Sequence, residues 1–270
     1  MIRITRTAEP TGLAAVRAQE VQRVEQALAS GTQLSSTLVG TEYKLVARDL
    51  WQMQHSKCCY CESAISLAFN DVEHYRPKAS VKQTRKAKAE DGYWWLAWTW
   101  SNLLFSCPSC NRSKLAKNDL FPLAKPANRL QPKAAPPSQE DPLLIDPSNP
   151  TADPEDHVEF GFAAGDQGHI YGRTRYGEET IQVCALHRDD LIEVRANDLI
   201  ALNSDLTRIT SHLAAHAMPQ AEAVWDACLK REIRSTAAFA AMRRARLEHF
   251  WQALPAAHQA ALRRPPNRVP

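Results

Sequence analysis

No stretch of this 270-residue chain approaches the ~20 consecutive apolar residues that a membrane-spanning helix needs. The opening residues, MIRITRTAEP, lack the continuous apolar segment of a secretion signal, so the expected location is the cytoplasm. Net charge is scarce as well. Basic and acidic side chains nearly cancel to +3, which argues against a general polyanion binder. No GxxxxGKS or GxxxxGKT loop is present, so the chain is not expected to bind a nucleotide itself. There are no internal repeats. The seven cysteines are an odd number, and without a secretion signal they do not suggest a disulfide framework.

What is present is a soluble, globular composition, 44% hydrophobic and 23% charged, long enough for a real core. Residues 2–5 are expected to form a short strand. Leu13, Val16, Val21, Val24 and Leu28 recur at helical spacing between Gly12 and about Ser30. A second helix is expected over Glu42–Gln54, ending just before the first cysteines. Nine prolines between Pro122 and Pro154 break helix and sheet, so this stretch reads as an irregular connection laid over the surface. Residues 157–173 read as a hairpin turning around Gly165–Gly168. Beyond it, Leu199, Leu202, Leu206, Ile209 and Leu213 form one apolar stripe. The residues from Trp225 to Trp251 add at least one long helix for that stripe to pack on. Cys228 falls on this pattern as a small buried hydrophobe, and the tail RRPPNRVP is expected to be disordered. The organisation expected is thus an N-terminal strand and helices (1–55), a chemical core (56–123), a proline-rich connection and hairpin (124–175), and a helical region (176–270).

Five of the cysteines fall in two tight clusters, Cys58-Cys59-Tyr60-Cys61 and Cys107-Pro108-Ser109-Cys110. Each cluster offers two thiols separated by two residues. A tight turn can aim such a pair at one ion, and two turns complete a tetrahedral thiolate shell. Cys58, Cys61, Cys107 and Cys110 are therefore read as ligands of a structural Zn²⁺, with Cys59 as the alternative to Cys58. Forty-five residues separate the pairs, more than a simple zinc ribbon usually has, so something is inserted between them.

Three polar signals accompany the staple: Glu73-His74 in DVEHYRP, Asn102 in WSNLLF, and Asn111 directly after Cys110. Singly they read as a surface pair, a turn cap and a helix N-cap. Trp94, Trp95, Trp98 and Trp100, on a short helix before Asn102, read as packing for a small core ahead of base-stacking.

As a set, CxxC, EHxxP, NL and CxxCNxxK in residues 56–123 resemble the zinc-containing HNH endonucleases, with Asn111 where many members carry a second histidine. The resemblance implies an α+β, mainly helical chain in which a small zinc-stapled ββα-metal (HNH) core is embedded among helices. Its strands are expected near Val72–Tyr75 and Leu103–Ser106, with the helix starting near Asn111. It further implies His74 as general base, Asn102 as the residue that orients the histidine-bearing loop, and Glu73 with Asn111 holding one hard cation, Mg²⁺ or Mn²⁺. Neighbouring strand residues point to opposite faces, so a bend is expected at Tyr75-Arg76-Pro77. Arg112 and Lys114 are expected phosphate contacts on the first turn of the helix. Arg76 and Lys78 begin a basic run reaching Lys88; alone it is a solvated loop, but beside the motif it borders the cleft.

The longer strings VEHYRPK, YWWLAWTWSNLLFSCPSCNRSK, FPL, LLIDPSNP and LHRDDLIEVR resemble the PtuB nucleases, out to about residue 195. That likeness implies antiphage defence in Septu and retron-linked systems. The partners it implies are a PtuA-like ABC-type ATPase and, for retron-linked systems, a reverse transcriptase/ncRNA complex. DNA is the expected substrate. The competing readings are an RNA- or tRNA-directed effector nuclease, a non-catalytic zinc module that binds nucleic acid, and a structural subunit whose helical tail is its main interface.

Overall fold

The computed structural model describes Met1, residues 3–136 and residues 138–268. Helix α1 (Leu13–Ala29) follows Gly12, whose φ of 94° is cheap only for glycine, and it buries Leu13 and Val24. A short α2 (Ser36–Val39) is capped by the Ser35 hydroxyl, which accepts the Leu38 amide at 3.1 Å. The segment expected as one helix before the cysteines divides. Glu42–Val46 is a 3-10 turn, and Ala47–Met53 is the α-helix α3.

Strand β1 (Asp71–His74) pairs antiparallel with β4 (Leu103–Ser106); Asp71 lies opposite Ser106 and His74 opposite Leu103. Between them, β2 (Ser80–Val81) and β3 (Glu90–Asp91) make a small second ladder. Helix α4 is a single turn, Pro108–Asn111. The expected hairpin is present as β5 (Val158–Phe160) and β6 (Ile170–Gly172). It leads into α5 (Arg175–Val183), α6 (Asp189–Ala214), α7 (Met218–Glu232), α8 (Ala240–Gln252) and the short α9 (Ala256–Ala261). The chain is therefore α+β and mainly helical, as expected. No described helix is long and apolar enough to cross a membrane.

The apolar stripe of α6 is buried along its length, and α6 packs on α7 and α8. The segment from Trp225 to Trp251 forms two helices, joined around Phe239, which takes a φ of 50°. Ion pairs Arg231–Asp205 at 2.6 Å and Arg243–Glu232 at 2.7 Å fasten the three helices together. Cys228 is fully buried, and Trp94, Trp95, Trp98 and Trp100 are all inside, so packing is their use here.

Three expectations need correction. Ile2 lies outside the described residues, and residues 3–5 form no strand. The segment is held instead by the Ile4 amide on the Pro147 carbonyl and by Arg6, whose guanidinium donates to the carbonyls of Trp100, Ser101 and Leu103. The proline-rich stretch does more than cover the surface. It buries Leu130, Leu144 and Ile145 in the core and delivers Glu140 to the inside, because prolines forbid regular ladders without forbidding burial. The start of the tail is anchored: Pro265 is buried and the Arg263 carbonyl accepts the Trp225 indole N–H at 2.7 Å, while residues 266–268 are exposed. Val269 and Pro270 lie outside the described residues.

Candidate active site

The four cysteines come from two tight turns. In the first, the Cys58 amide bonds the Ser63 carbonyl and the Glu62 amide bonds the Cys58 carbonyl, curling Cys58 and Cys61 inward. In the second, Cys107 follows β4 as the N-cap of α4 and Pro108 occupies the first helical position, where its missing N–H costs nothing, so α4 brings Cys110 back under Cys107. All four sulfurs lie within 4.8 Å of one another, and Cys61 Sγ is 3.9 Å from Cys107 Sγ. A tetrahedral ion with bonds of ~2.3 Å to sulfur demands sulfur–sulfur edges of about 3.8 Å, so the set fits a metal such as zinc. The four thiols share their protons unequally: hydrogen bonds from Cys107 and Cys110 hold the Cys61 thiol well below its usual range, while Cys58, Cys107 and Cys110 are pushed above theirs. Burial works against the charge of Arg188, but Cys110 and Cys61 outweigh it; this guanidinium sits 3.5 Å from Cys110 Sγ and balances the sulfurs. Cys59 is not in the quartet, and burial pushes its thiol up to about 11.

Strand parity arranges the rest. Asp71 and Glu73 share the face of β1 that meets α4, and His74 takes the other. The Asn111 amide nitrogen is 3.4 Å from Asp71 Oδ2, and Arg112 Nε is 3.1 Å from the same oxygen. Glu73 is buried, with Oε1 held by Lys117 Nζ at 2.6 Å and by the Tyr60 hydroxyl at 3.3 Å. Burial raises the Glu73 carboxyl, and Lys117 and Tyr60 oppose it. No hydrogen bond among the described residues reaches Oε2. Lys117 also donates to the His74 carbonyl at 2.8 Å, so one buried ammonium ties down both members of the Glu-His pair.

The His74 ring packs edge-on against Tyr43 with centroids 4.4 Å apart, and Nε2 lies 2.9 Å from the Ala97 carbonyl. A carbonyl only accepts, so Nε2 carries the proton and Nδ1 keeps its lone pair. Burial, reinforced by Lys78, pushes the imidazole down to about 3, so it is neutral at pH 7. The chain bends at Tyr75 and Arg76, as expected, and Asn102 braces the bend. Its Oδ1 accepts the Arg76 amide while its Nδ2 donates to the Arg76 and Leu96 carbonyls. Asp71, Glu73, His74 and Asn111 line one cavity of about 790 Å³ together with Tyr43, Lys78, Arg112 and Lys114.

The chain is 34% identical over 217 residues to the Septu protein PtuB of Bacillus mycoides (strain KBAB4), covering 77% of this chain and 70% of that one. The chain belongs to the PtuB family. It is also 29% identical over 143 residues to the Septu protein PtuA of the same strain, covering 53% of this chain but 19% of that protein. No family model and no solved structure matches the chain.

Within this PtuB-family chain, two local expectations are corrected. Helix α4 ends at Asn111 where it was expected to begin, so Arg112 and Lys114 follow the helix and do not lie on its first turn. Both still face the cavity and are exposed. Arg76 does not line the cavity: its half-buried guanidinium pairs with the buried Glu140 at 2.7 Å, an interaction spanning 64 positions. Lys78 does line the cavity, with its ammonium over the Tyr43 ring at 4.2 Å, and burial pulls it down to about 8. Tyr43, Tyr60, Asp71 and Lys117 were not picked out from sequence. For Asp71 a signal existed, since a carboxylate two positions before Glu73 on a strand must share its face.

Proposed function

We propose that this chain is a metal-dependent endonuclease of the HNH type, hydrolysing phosphodiester bonds in DNA as the effector of Septu antiphage defence beside a PtuA-type ATPase. The observation that carries the reading is the meeting, in one basic-rimmed cavity, of a neutral histidine with a free Nδ1 and a set of hard oxygen donors. His74 Nδ1 accepts the proton of the attacking water, with Nε2–H on Ala97 fixing the tautomer. A ring held near 3 is a weak base, and the phosphate anion bound beside it favours the imidazolium and lifts that value. Asn102 holds the bend that follows His74, so the ring does not swing away as it charges.

Glu73, through Oε2, and the Asn111 amide oxygen would hold a Mg²⁺ or Mn²⁺ ion, with Asp71 beside them. Such an ion, when bound, neutralises charge on the phosphate and the leaving oxygen. Arg112 and Lys114 bind the flanking phosphates. The cysteine quartet has no open position and serves as scaffold. The names of the two relatives support a place in a Septu system, and the lack of a nucleotide loop here assigns any ATP requirement to another subunit.

The test is to incubate the purified chain, alone and with its neighbouring ATPase, with supercoiled plasmid or structured RNA in Mg²⁺ or Mn²⁺. Nicking of DNA that EDTA abolishes is expected. Cleavage confined to RNA would overturn the DNA assignment, and no cleavage of either substrate would overturn the enzyme.

A further inference from the structure

Two residues before Asp71, the chain presents Phe69 to solvent. Its side chain is 90% exposed, the largest exposure among the large apolar residues described, and its φ is 64°. Left-handed backbone is a true outlier for a bulky aromatic residue, and it persists only where the surroundings enforce it. They do so here. The Asn70 side chain donates to the Ser66 and Ala68 carbonyls at 2.8 and 2.9 Å, and the Ser66 hydroxyl donates to the Ala68 carbonyl at 2.7 Å. The loop is thus braced in a strained form that holds a phenyl ring outward. Burial gains nothing from that placement, so the strain needs another explanation.

The location supplies one. At about 3.5 Å of chain per residue, Phe69 lies within roughly 7 Å along the backbone of Asp71, which lines the cavity and pairs with Arg112. Leu115, directly after the cavity-lining Lys114, is 64% exposed as well. The cavity that Asp71 and Lys114 line carries six cationic side chains against three acidic ones, a surplus suited to a polyanion. An apolar tip beside a basic cleft fits a ligand that is charged along its backbone and flat and apolar between, which is nucleic acid.

We infer that Phe69 is a wedge that stacks on, and partly unstacks, a base step of the nucleic acid lying in the cavity. The inference rests on the nuclease reading and deepens it: phosphates bind the cations, and Phe69 adds a contact to the bases. A protein partner seated on Phe69 is the competing occupant, and the basic rim favours nucleic acid over it.

The experiment uses the full chain carrying His74→Ala, so that duplex DNA is bound without being cut. The duplex carries 2-aminopurine at successive positions, and binding should raise fluorescence at one step as that base unstacks. Adding Phe69→Ala should abolish the rise and weaken binding about 5- to 150-fold, the range carried by one base–aromatic stack. Phe69→Trp should keep both. Phe69→Gly should lose the rise while raising the thermal midpoint, because glycine takes this backbone without strain. The wedge is overturned if Phe69→Ala binds with unchanged affinity and fluorescence. It is equally overturned if that variant instead loses only its association with the ATPase. Absence of any DNA binding by the His74→Ala chain would strike the nuclease reading beneath, a result distinguishable from both.

Discussion

Asn102 and Arg76 clasp each other: the Asn102 amide oxygen accepts the Arg76 backbone N–H at 2.8 Å, and its amide nitrogen donates to the Arg76 carbonyl at 3.1 Å. One side chain on the turn into β4 thereby sets the path of the chain leaving β1, immediately after His74. Asn102→Ala strands buried backbone groups on both sides, and we expect it to cost about 2–3 kcal/mol in urea unfolding while the cysteine site keeps its metal. A loss below a few tenths would mean that the clasp is incidental.

Lys117 and Glu73 form a pair almost wholly inside the protein, 2.6 Å apart. Lys117→Met leaves a buried carboxylate without its partner and should destabilise the chain by about 3–5 kcal/mol. The double variant Lys117→Met/Glu73→Gln should recover much of that, since no uncompensated charge remains. Equal destabilisation by the single and double variants would contradict the pairing.

The His74 imidazole titrates near 6.5 in an unfolded chain and about 3 in the fold. Between those values the unfolded state binds more protons, so stability falls as pH drops from about 6.5 toward about 3. The slope should be shallower in His74→Asn, which has nothing to protonate. Measuring unfolding free energy at successive pH values for both proteins checks this, and parallel curves would contradict the burial assigned to His74.

Arg76 and Lys114 should separate cleanly although both are basic residues near the motif. Arg76→Ala takes the cationic partner from the buried Glu140 and should lower the thermal midpoint. Lys114→Ala should leave stability unchanged and weaken nucleic-acid binding at all sequences, reducing the salt dependence by about one phosphate contact. The reverse pattern would restore Arg76 to the cleft.

Much of the arrangement was legible in the chain because its determinants are local. Each cysteine pair specifies its own turn, and the strands around His74 and Leu103 lie within one residue of their expected bounds. What escaped was set by distant partners. Arg76 sits in a basic run and looks solvated until Glu140 is brought to it across 64 positions by a segment whose prolines hid its burial. Lys117 resembles any surface lysine, and only the packing of its loop behind α4 places its ammonium between Glu73 and His74. The extent of α4 has a local cause: Asn111 suits a helix start, but Pro108 already begins the turn. The strained Phe69 loop left no pattern in the residues at all.

The most direct measurement is plasmid nicking by the wild-type chain and by His74→Ala, each with zinc content determined on the same sample. The account predicts nicking in Mg²⁺ or Mn²⁺ for the wild type, none above background for the variant, and one zinc per chain in both. Undiminished nicking by a zinc-replete His74→Ala protein would contradict it.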